Sequence, residues 1–219
     1  MSKSEIMLQL KKQGLVAVIR GKDKMEGFQA AVACIEGGIQ SIEIAYTNLE
    51  ASAIIKELTS LYKHQSTVTI GAGSVLDAET ARLAILSGAQ YVVSPSFHPE
   101  TAQLCNRYAI PYIPGCISLT EMVTALEAGC EMIKLFPGNL SGPSYIKAIK
   151  APLPQIAIMV TGGVNTASIR EWFAAGAEVV GVGGEFNQLA AKGEFDHIRT
   201  LAEQYTALLP ESLSLRETV

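Results

Sequence analysis

Short apolar runs alternate with segments of helical spacing along almost the whole chain. The runs are apolar at consecutive positions, as in LVAVIR and IAIMV, which is typical of parallel strands buried on both faces. They lie at residues 15–20, 41–46, 67–72, 91–95, 111–115, 132–136, 156–160 and 179–183. Strands and helices that alternate about eight times predict a (β/α)8 TIM barrel rather than a doubly wound sheet. Residues 4–13 are predicted to form an extra N-terminal helix at the bottom of the barrel, and residues 1–219 to form one domain.

A weak repeat relates alternate strands. The segments EGGIQSIEI, LSGAQYVVS, EAGCEMIKL and AAGAEVVGV each carry a glycine suited to the left-handed turn after a helix, and a strand follows. These glycines are Gly38, Gly88, Gly129 and Gly176. Five residues after them stand Glu43, Val93, Lys134 and Gly181. Because inward side chains of alternate strands form shared layers in such barrels, these four residues are predicted to share one layer near the C-terminal ends of the strands.

Lys134 is the unexpected residue of this layer, because it interrupts the apolar run of EMIKLFPG. Removing the charge of a lysine from water is costly unless something compensates. One explanation is a purely structural salt bridge with Glu43, but buried ion pairs seldom improve stability over apolar replacements. The other explanation is catalysis, since strand ends carry the active site in this fold and a desolvated lysine amine is a usable nucleophile. The sequence favours catalysis.

A neutral amine at this depth would attack a ketone or aldehyde and form an iminium, which withdraws electrons and lets a nearby C–C bond break. Glu43 is the candidate general acid and base for such a reaction, acting through a water. Small polar groups at other strand ends suit carboxylate or phosphate oxygens, and the loops after strands seven and eight are the usual phosphate site of this fold. These groups are Ser74, Thr161, Gly162, Gly163, Gly183 and Gly184.

Composition narrows the class of protein further. A net charge of −4 gives no sign of a nucleic-acid partner, and no apolar run reaches the roughly 18 residues of a membrane span. The N-terminus is amphipathic rather than signal-like, so a cytoplasmic location is expected. The scattered cysteines Cys34, Cys105, Cys116 and Cys130 are expected to be reduced core residues. The three histidines lie far apart in the sequence, and neither a metal nor a cofactor is expected.

The motifs VAVIR, GGIQSIEI, GAGSV, SPSF, IPG, KLFPG and TGGV, in this order and at these spacings, resemble the 2-keto-3-deoxy-6-phosphogluconate aldolases, which are also known as 4-hydroxy-2-oxoglutarate aldolases. The resemblance covers roughly residues 10–204. It implies a metal-free class I aldolase that splits a keto-deoxy sugar acid into pyruvate and an aldehyde, either glyceraldehyde 3-phosphate or glyoxylate. It also implies a barrel that assembles as a homotrimer.

The resemblance assigns a role to individual residues. The lysine of KLFP forms the Schiff base in that family and the glutamate of the second strand shuttles protons, which implies these roles for Lys134 and Glu43. Ser74 would contact the pyruvate carboxylate, and Arg20 would bind a phosphate or a carboxylate. The remaining substrate contacts implied are Thr161, Gly162 and Gly163 toward the distal end, and Pro95 and Phe136 along the pocket.

Two positions depart from the family pattern. Thr47 stands where many members have an arginine that helps to hold the substrate carboxylate, so anion binding should be weaker here. In the loop GVGGEF, Gly184 and Glu185 replace the serine that the family usually offers to the phosphate. Two like charges about 5 Å apart repel by a few kcal/mol at an effective dielectric near 20, unless Glu185 turns outward on the first helical turn. A phosphorylated substrate is still expected first, and an unphosphorylated or galactonate-type acid is the alternative.

Two other functions stay open. A phosphosugar isomerase or epimerase could use the same barrel, with Glu43 as the base and Lys134 as an electrostatic group only. A degenerate barrel could instead serve as a binding subunit, although the presence of Lys134, Glu43, Ser74 and Thr161 together disfavours it.

Overall fold

The computed structural model describes residues 1–213, and residues 214–219 of the predicted domain lie outside the described part. The strands are β1 (Leu15–Ile19), β2 (Ser41–Ala45), β3 (Thr69–Gly73), β4 (Val92–Val93), β5 (Tyr112–Ile113), β6 (Gly115–Cys116), β7 (Ile133–Leu135), β8 (Ile158–Thr161) and β9 (Val179–Val182). The helices are α1 (Lys3–Gln13), α2 (Lys24–Glu36), α3 (Ala51–Leu61), α4 (Ala78–Leu86), α5 (Pro99–Arg107), α6 (Leu119–Glu127), α7 (Pro143–Lys150), α8 (Ile169–Ala175), α9 (Gly184–Ala191) and α10 (Phe195–Ala207).

All of the strand pairs are parallel, and the strands follow one another around the sheet in the order β5-β4-β3-β2-β1-β9-β8-β7-β6. Only Pro114 separates β5 from β6, and a proline has no N–H to donate to a strand ladder. β5 pairs with β4 on one side and β6 pairs with β7 on the other. The two pieces are therefore halves of one fifth barrel strand, and the predicted (β/α)8 TIM barrel is confirmed.

The N-terminal helix closes the bottom of the barrel. Side chains of α1 (Ile6, Met7 and Leu10) form one buried cluster with inward residues of several strands, which are Val16, Tyr91, Val93, Ile113, Met132, Ala157, Met159 and Val179. The helix begins at Lys3, one residue before the predicted start, because the Ser2 side chain accepts from Glu5 N–H and Glu5 reciprocates in a capping box. The predicted position of this helix is confirmed.

The repeated glycines end helices as their spacing predicts. Gly38, Gly88, Gly129 and Gly176 have φ angles of 94°, 102°, 82° and 106°, in the left-handed region that a side chain disfavours. The next strand begins within a few residues of each turn. The regular spacing of these turns is what brings Glu43 and Lys134 to the same height in the barrel.

Candidate active site

Lys134 is the central residue of the candidate site, and it lies in the middle of β7. Its backbone N–H donates to Pro114 O at 2.8 Å and its Cα pairs with those of Gly115 and Met159 on the neighbouring strands. The residue is only 6% exposed. Its Nζ lies 5.2 Å from the centroid of the Phe136 ring, so the amine has an aromatic wall on one side.

Glu43 meets this amine from the opposite strand β2. Its Oε1 lies 3.4 Å from Lys134 Nζ, and the residue is 1% exposed. The other carboxylate oxygen, Oε2, is buried and has no hydrogen-bond partner within residues 1–213. Buried polar atoms are nearly always paired, so an unpaired carboxylate oxygen beside a buried amine points to a bound water or substrate group.

The glycines of the motif GAGSV make room for this carboxylate. A Cβ at Gly73 would lie 2.1 Å from Glu43 Oε1, and a Cβ at Gly71 would lie 2.4 Å from the Tyr91 ring. Tyr91 is fully buried beneath the site and donates its hydroxyl to Ile42 O at 2.8 Å. Burial, with a smaller contribution from the Glu43 charge, raises the pKa of Tyr91 well above its ordinary value. Sequence reasoning missed this packing role, because nothing in the motif shows which side chain each glycine faces.

Three further predicted residues follow the C-terminal ends of strands at the same end of the barrel. Ser74 follows β3 and is partly exposed, with a φ of 55° that is uncommon for a residue with a side chain. Such conformations concentrate at functional sites, where the surrounding structure holds them. Pro95 follows β4 and is partly buried, whereas Thr47 follows β2 and is exposed.

Arg20 follows β1 and is exposed, but its backbone is fixed from two sides. Its N–H donates to Asn187 Oδ1 at 2.8 Å, and its carbonyl accepts from Asn48 Nδ2 at 2.9 Å. Asn187 also donates to Val18 O at 2.9 Å and to Gly183 O at 2.5 Å. Asn187 therefore ties the Arg20 turn to the start of α9, a contact between residues 167 positions apart that no local pattern signals, and Asn48 ties it to the loop after β2.

A small cavity lies between the loops after β8 and β9. It has a volume of about 210 Å³, and its lining includes Gly162, Gly163, Asn165, Gly183, Gly184, Glu185 and Tyr205. The predicted glycines of TGGV and GVGG thus come together around one space, as their positions at adjacent strand ends suggested. Thr161 lies at the end of β8 and is buried, and its Oγ1 has no hydrogen-bond partner among the described residues.

Glu185 lies in the first turn of α9, at the wall of this cavity. The residue is exposed, and its Oε2 accepts a hydrogen bond of 2.5 Å from the hydroxyl of Tyr205 on α10. The sequence leaves two orientations open for the Glu185 side chain, toward the phosphate or outward from the first helical turn. Neither of them includes a contact with Tyr205. A contact between residues 20 positions apart on different helices is outside the reach of local sequence reasoning.

Nucleophilic sulfur is absent from the described surface of this site. All four cysteines are free and buried, as predicted for core residues. Burial raises the pKa of Cys105, Cys116 and Cys130 to about 12.

Within residues 1–213, no group of three or more His, Cys, Asp or Glu side chains is arranged to hold a metal ion. None of the described helices combines the length and the apolar character needed to cross a bilayer.

Comparison with known proteins agrees with this geometry. The family model for KDPG and KHG aldolases matches residues 6–201. A 2-dehydro-3-deoxy-6-phosphogalactonate aldolase of Escherichia coli is 35% identical over 78% of this chain and 83% of its own length. A 2-dehydro-3-deoxy-phosphogluconate aldolase of Treponema pallidum is 34% identical over 80% of this chain and 83% of its own.

A solved structure of a relative is also similar to this chain, in both sequence and fold. The KDPG aldolase of Legionella pneumophila, with pyruvate captured at low pH as a covalent carbinolamine intermediate, has a TM-score of 0.81 and is 25% identical over 89% of this chain and 95% of its own. Both the sequence and the barrel thus align with these enzymes over most of their length. The chain belongs to the KDPG and KHG aldolase family, and it is a lyase that acts on a keto-deoxy sugar acid.

Proposed function

We propose that this chain is a class I aldolase in which Lys134 forms a Schiff base with its substrate. The amine attacks the C2 carbonyl of a 2-keto-3-deoxy acid to give a carbinolamine, which loses water to become an iminium. The C3–C4 bond then breaks, its electrons flow into the iminium as an enamine, and the C4 hydroxyl proton leaves with the formation of an aldehyde. Protonation of the enamine at C3 and hydrolysis release pyruvate and regenerate the amine.

The observation that carries this proposal is the pairing of a buried amine with a buried, half-unpaired carboxylate. Lys134 Nζ and Glu43 Oε1 lie 3.4 Å apart, and Glu43 Oε2 has no partner among the described residues. Glu43 can therefore accept the C4 hydroxyl proton through a water and return a proton to C3. The Legionella relative, whose structure holds pyruvate as a covalent carbinolamine, supports the same chemistry here.

The other predicted residues are assigned to substrate binding. Ser74 would hold the pyruvate carboxylate, while Pro95 and Phe136 would line the pocket beside the amine. Arg20 would supply positive charge for an anionic group of the substrate, since its turn is tied to the start of α9 at the distal cavity. Thr47 would contribute only a hydroxyl.

The distal end of the substrate is proposed to be a phosphate. Backbone N–H groups at the start of a helix favour an anion, and the cavity beside α9 is walled by Gly162, Gly163, Gly183 and Gly184. The names of both curated relatives describe phosphorylated sugar acids, one a phosphogalactonate and the other a phosphogluconate. The proposed substrate is therefore 2-keto-3-deoxy-6-phosphogluconate or its galactonate-type counterpart, with 4-hydroxy-2-oxoglutarate as a further substrate.

The test is pyruvate release from a panel of acids. Phosphorylated and free 2-keto-3-deoxygluconate, the two galactonate-type acids and 4-hydroxy-2-oxoglutarate would be compared by kcat/KM. We expect the highest value for a phosphorylated acid, with the aldehyde formed in equal amount. Isomerised or epimerised acid without pyruvate would instead identify an isomerase, and turnover of none of the acids would count against the proposal.

We further propose that the chain acts as one barrel domain in the cytoplasm and assembles as a homotrimer. Large apolar side chains are exposed on α4 and α6 and in the loops just before them, namely Leu76, Leu83, Leu86, Ile117, Leu119 and Val123. Exposed apolar groups of this size are costly unless a partner covers them. Light scattering should give three times the chain mass of 23.3 kDa, and a monomer mass at micromolar concentration would refute the trimer.

A further inference from the structure

Glu185 creates a conflict at the distal cavity if that cavity binds a phosphate. Its carboxylate is in the first turn of α9. The positive end of the helix dipole lies there and attracts any anion, including the carboxylate of Glu185 itself. A carboxylate that swung into the cavity would lie close to a bound dianion. Coulomb repulsion at that range would weaken phosphate binding by roughly tens- to a thousandfold. The orientation of this one side chain therefore decides what the cavity can accept.

The contact with Tyr205 fixes that orientation. Tyr205 is 1% exposed, and its ring packs on Phe186 with 5.6 Å between the ring centroids. The hydroxyl is thereby held by a rigid side chain of α10, and it donates to Glu185 Oε2 at 2.5 Å. A hydrogen bond to a charged acceptor is stronger than one between neutral groups, so this contact can hold an exposed carboxylate against the wall.

Tyr205 keeps its proton in the pH range in which an aldolase would be assayed. Burial, followed by the Glu185 contact, raises the pKa of the phenol, and a hydrogen bond from the backbone N–H of Thr166 acts in the opposite direction. Thr166 belongs to the loop after β8, next to the cavity residue Asn165. The hydroxyl thus lies between the two loops that form the cavity, and it is available as a donor.

We propose that Tyr205 is a positioning residue that holds the Glu185 carboxylate against the α10 wall and so keeps the glycine N–H groups of the cavity open to the substrate phosphate. This inference rests on the proposed aldolase function and on the phosphorylated substrate proposed with it. Tyr205 lines the cavity but would touch none of the reacting atoms. Its effect would be confined to discrimination between phosphorylated and free acids.

The experiment compares kcat/KM for phosphorylated and free 2-keto-3-deoxygluconate in four proteins: wild type, Tyr205→Phe, Glu185→Gln and the double variant. Tyr205→Phe keeps the ring and removes only the hydroxyl, so the released carboxylate should lower kcat/KM for the phosphorylated acid by roughly tenfold or more, through KM. The free acid should be unaffected. The loss should shrink at high salt, since the carboxylate is exposed and screened.

The double variant separates positioning from packing. Without a charge to restrain, Tyr205→Phe combined with Glu185→Gln should match Glu185→Gln alone on both acids. An equal loss on both acids, a loss that the second substitution does not rescue, or no loss at all would overturn the proposal. So would a wild type that shows no preference for the phosphorylated acid.

Glu185→Gln alone keeps the proposal testable should Tyr205→Phe fail to fold. If the carboxylate already opposed the phosphate in the wild type, this substitution would selectively improve the phosphorylated acid by roughly tens of fold or more, and the positioning role would be wrong. Pyruvate and borohydride should label all four proteins equally, because pyruvate carries no distal end. Failure of that labelling in the wild type would refute the Schiff-base proposal itself, independently of Tyr205.

Discussion

Replacing Gly73 by alanine tests whether the position of the Glu43 carboxylate sets the rate of turnover. The added Cβ would lie 2.1 Å from Glu43 Oε1, 2.5 Å from Cγ and 2.6 Å from Cδ. Non-bonded heavy atoms pack at about 3.5–4.0 Å, so the carboxylate would have to move by more than about 1 Å. The backbone would not resist the change, since Gly73 belongs to β3 and is not among the glycines with positive φ.

The expected cost has two parts. Overpacking of a well-filled interior typically lowers the free energy of unfolding by about 1–3 kcal/mol. A displacement of about 1 Å in a catalytic group can lower the rate by roughly 10²-fold, so kcat for pyruvate release should fall by that order. Turnover would be measured by coupled pyruvate detection, and the free energy of unfolding by urea titration monitored at Trp172.

The matched control carries Glu43→Ala, which removes all three atoms that the new Cβ would overlap. In this background Gly73→Ala should cost little stability, because the space is already vacant. The reasoning would be refuted if Gly73→Ala left kcat unchanged, or if it cost the same free energy of unfolding with and without the Glu43 side chain.

Two further predictions concern the same site, and a third concerns the buried cysteines. Glu43→Gln keeps the shape but loses the proton transfer, so turnover should fall by roughly 10²–10⁴-fold while a pyruvate adduct still forms; unchanged turnover would mean that the pair is structural. Lys134→Met should abolish turnover and, by leaving a buried carboxylate unpaired, lower the free energy of unfolding by about 3–5 kcal/mol, which adding Glu43→Gln should largely restore in urea titrations. Because burial raises the pKa of Cys105, Cys116 and Cys130 to about 12, above the unfolded value near 8.5, stability should be lost as pH rises from about 8.5 toward 12. A thiol reagent at pH 8 should accordingly react in urea and not with the folded protein.

The sequence predicts those parts of the fold that local patterns determine. Consecutive apolar positions marked all eight barrel strands, and the helix-ending glycines fixed their register closely enough to place Glu43 beside Lys134. The fifth strand shows the limit of that reasoning. PYIPG was one apolar run, but Pro114 cannot donate a ladder hydrogen bond, and the structure therefore has two short pieces, β5 and β6.

The supports of the site could not be predicted, because they join residues that are distant in sequence. Asn187 reaches Arg20 across 167 positions, and Tyr205 reaches Glu185 from the next helix. The residue types gave no signal either, since asparagine and tyrosine have many ordinary roles in such segments. Gly73 illustrates the same point: the motif showed that a glycine was there, and only the packing showed that it leaves space for Glu43.

The central claim is that Lys134 is the covalent nucleophile, and reductive trapping measures it most directly. The protein would be incubated with pyruvate and borohydride, digested, and mapped by mass spectrometry. The account predicts one reduced pyruvate adduct, on the lysine of the peptide containing EMIKLFPG, with loss of activity in proportion to labelling. An adduct on another lysine would contradict it. So would a fully active protein that cannot be labelled.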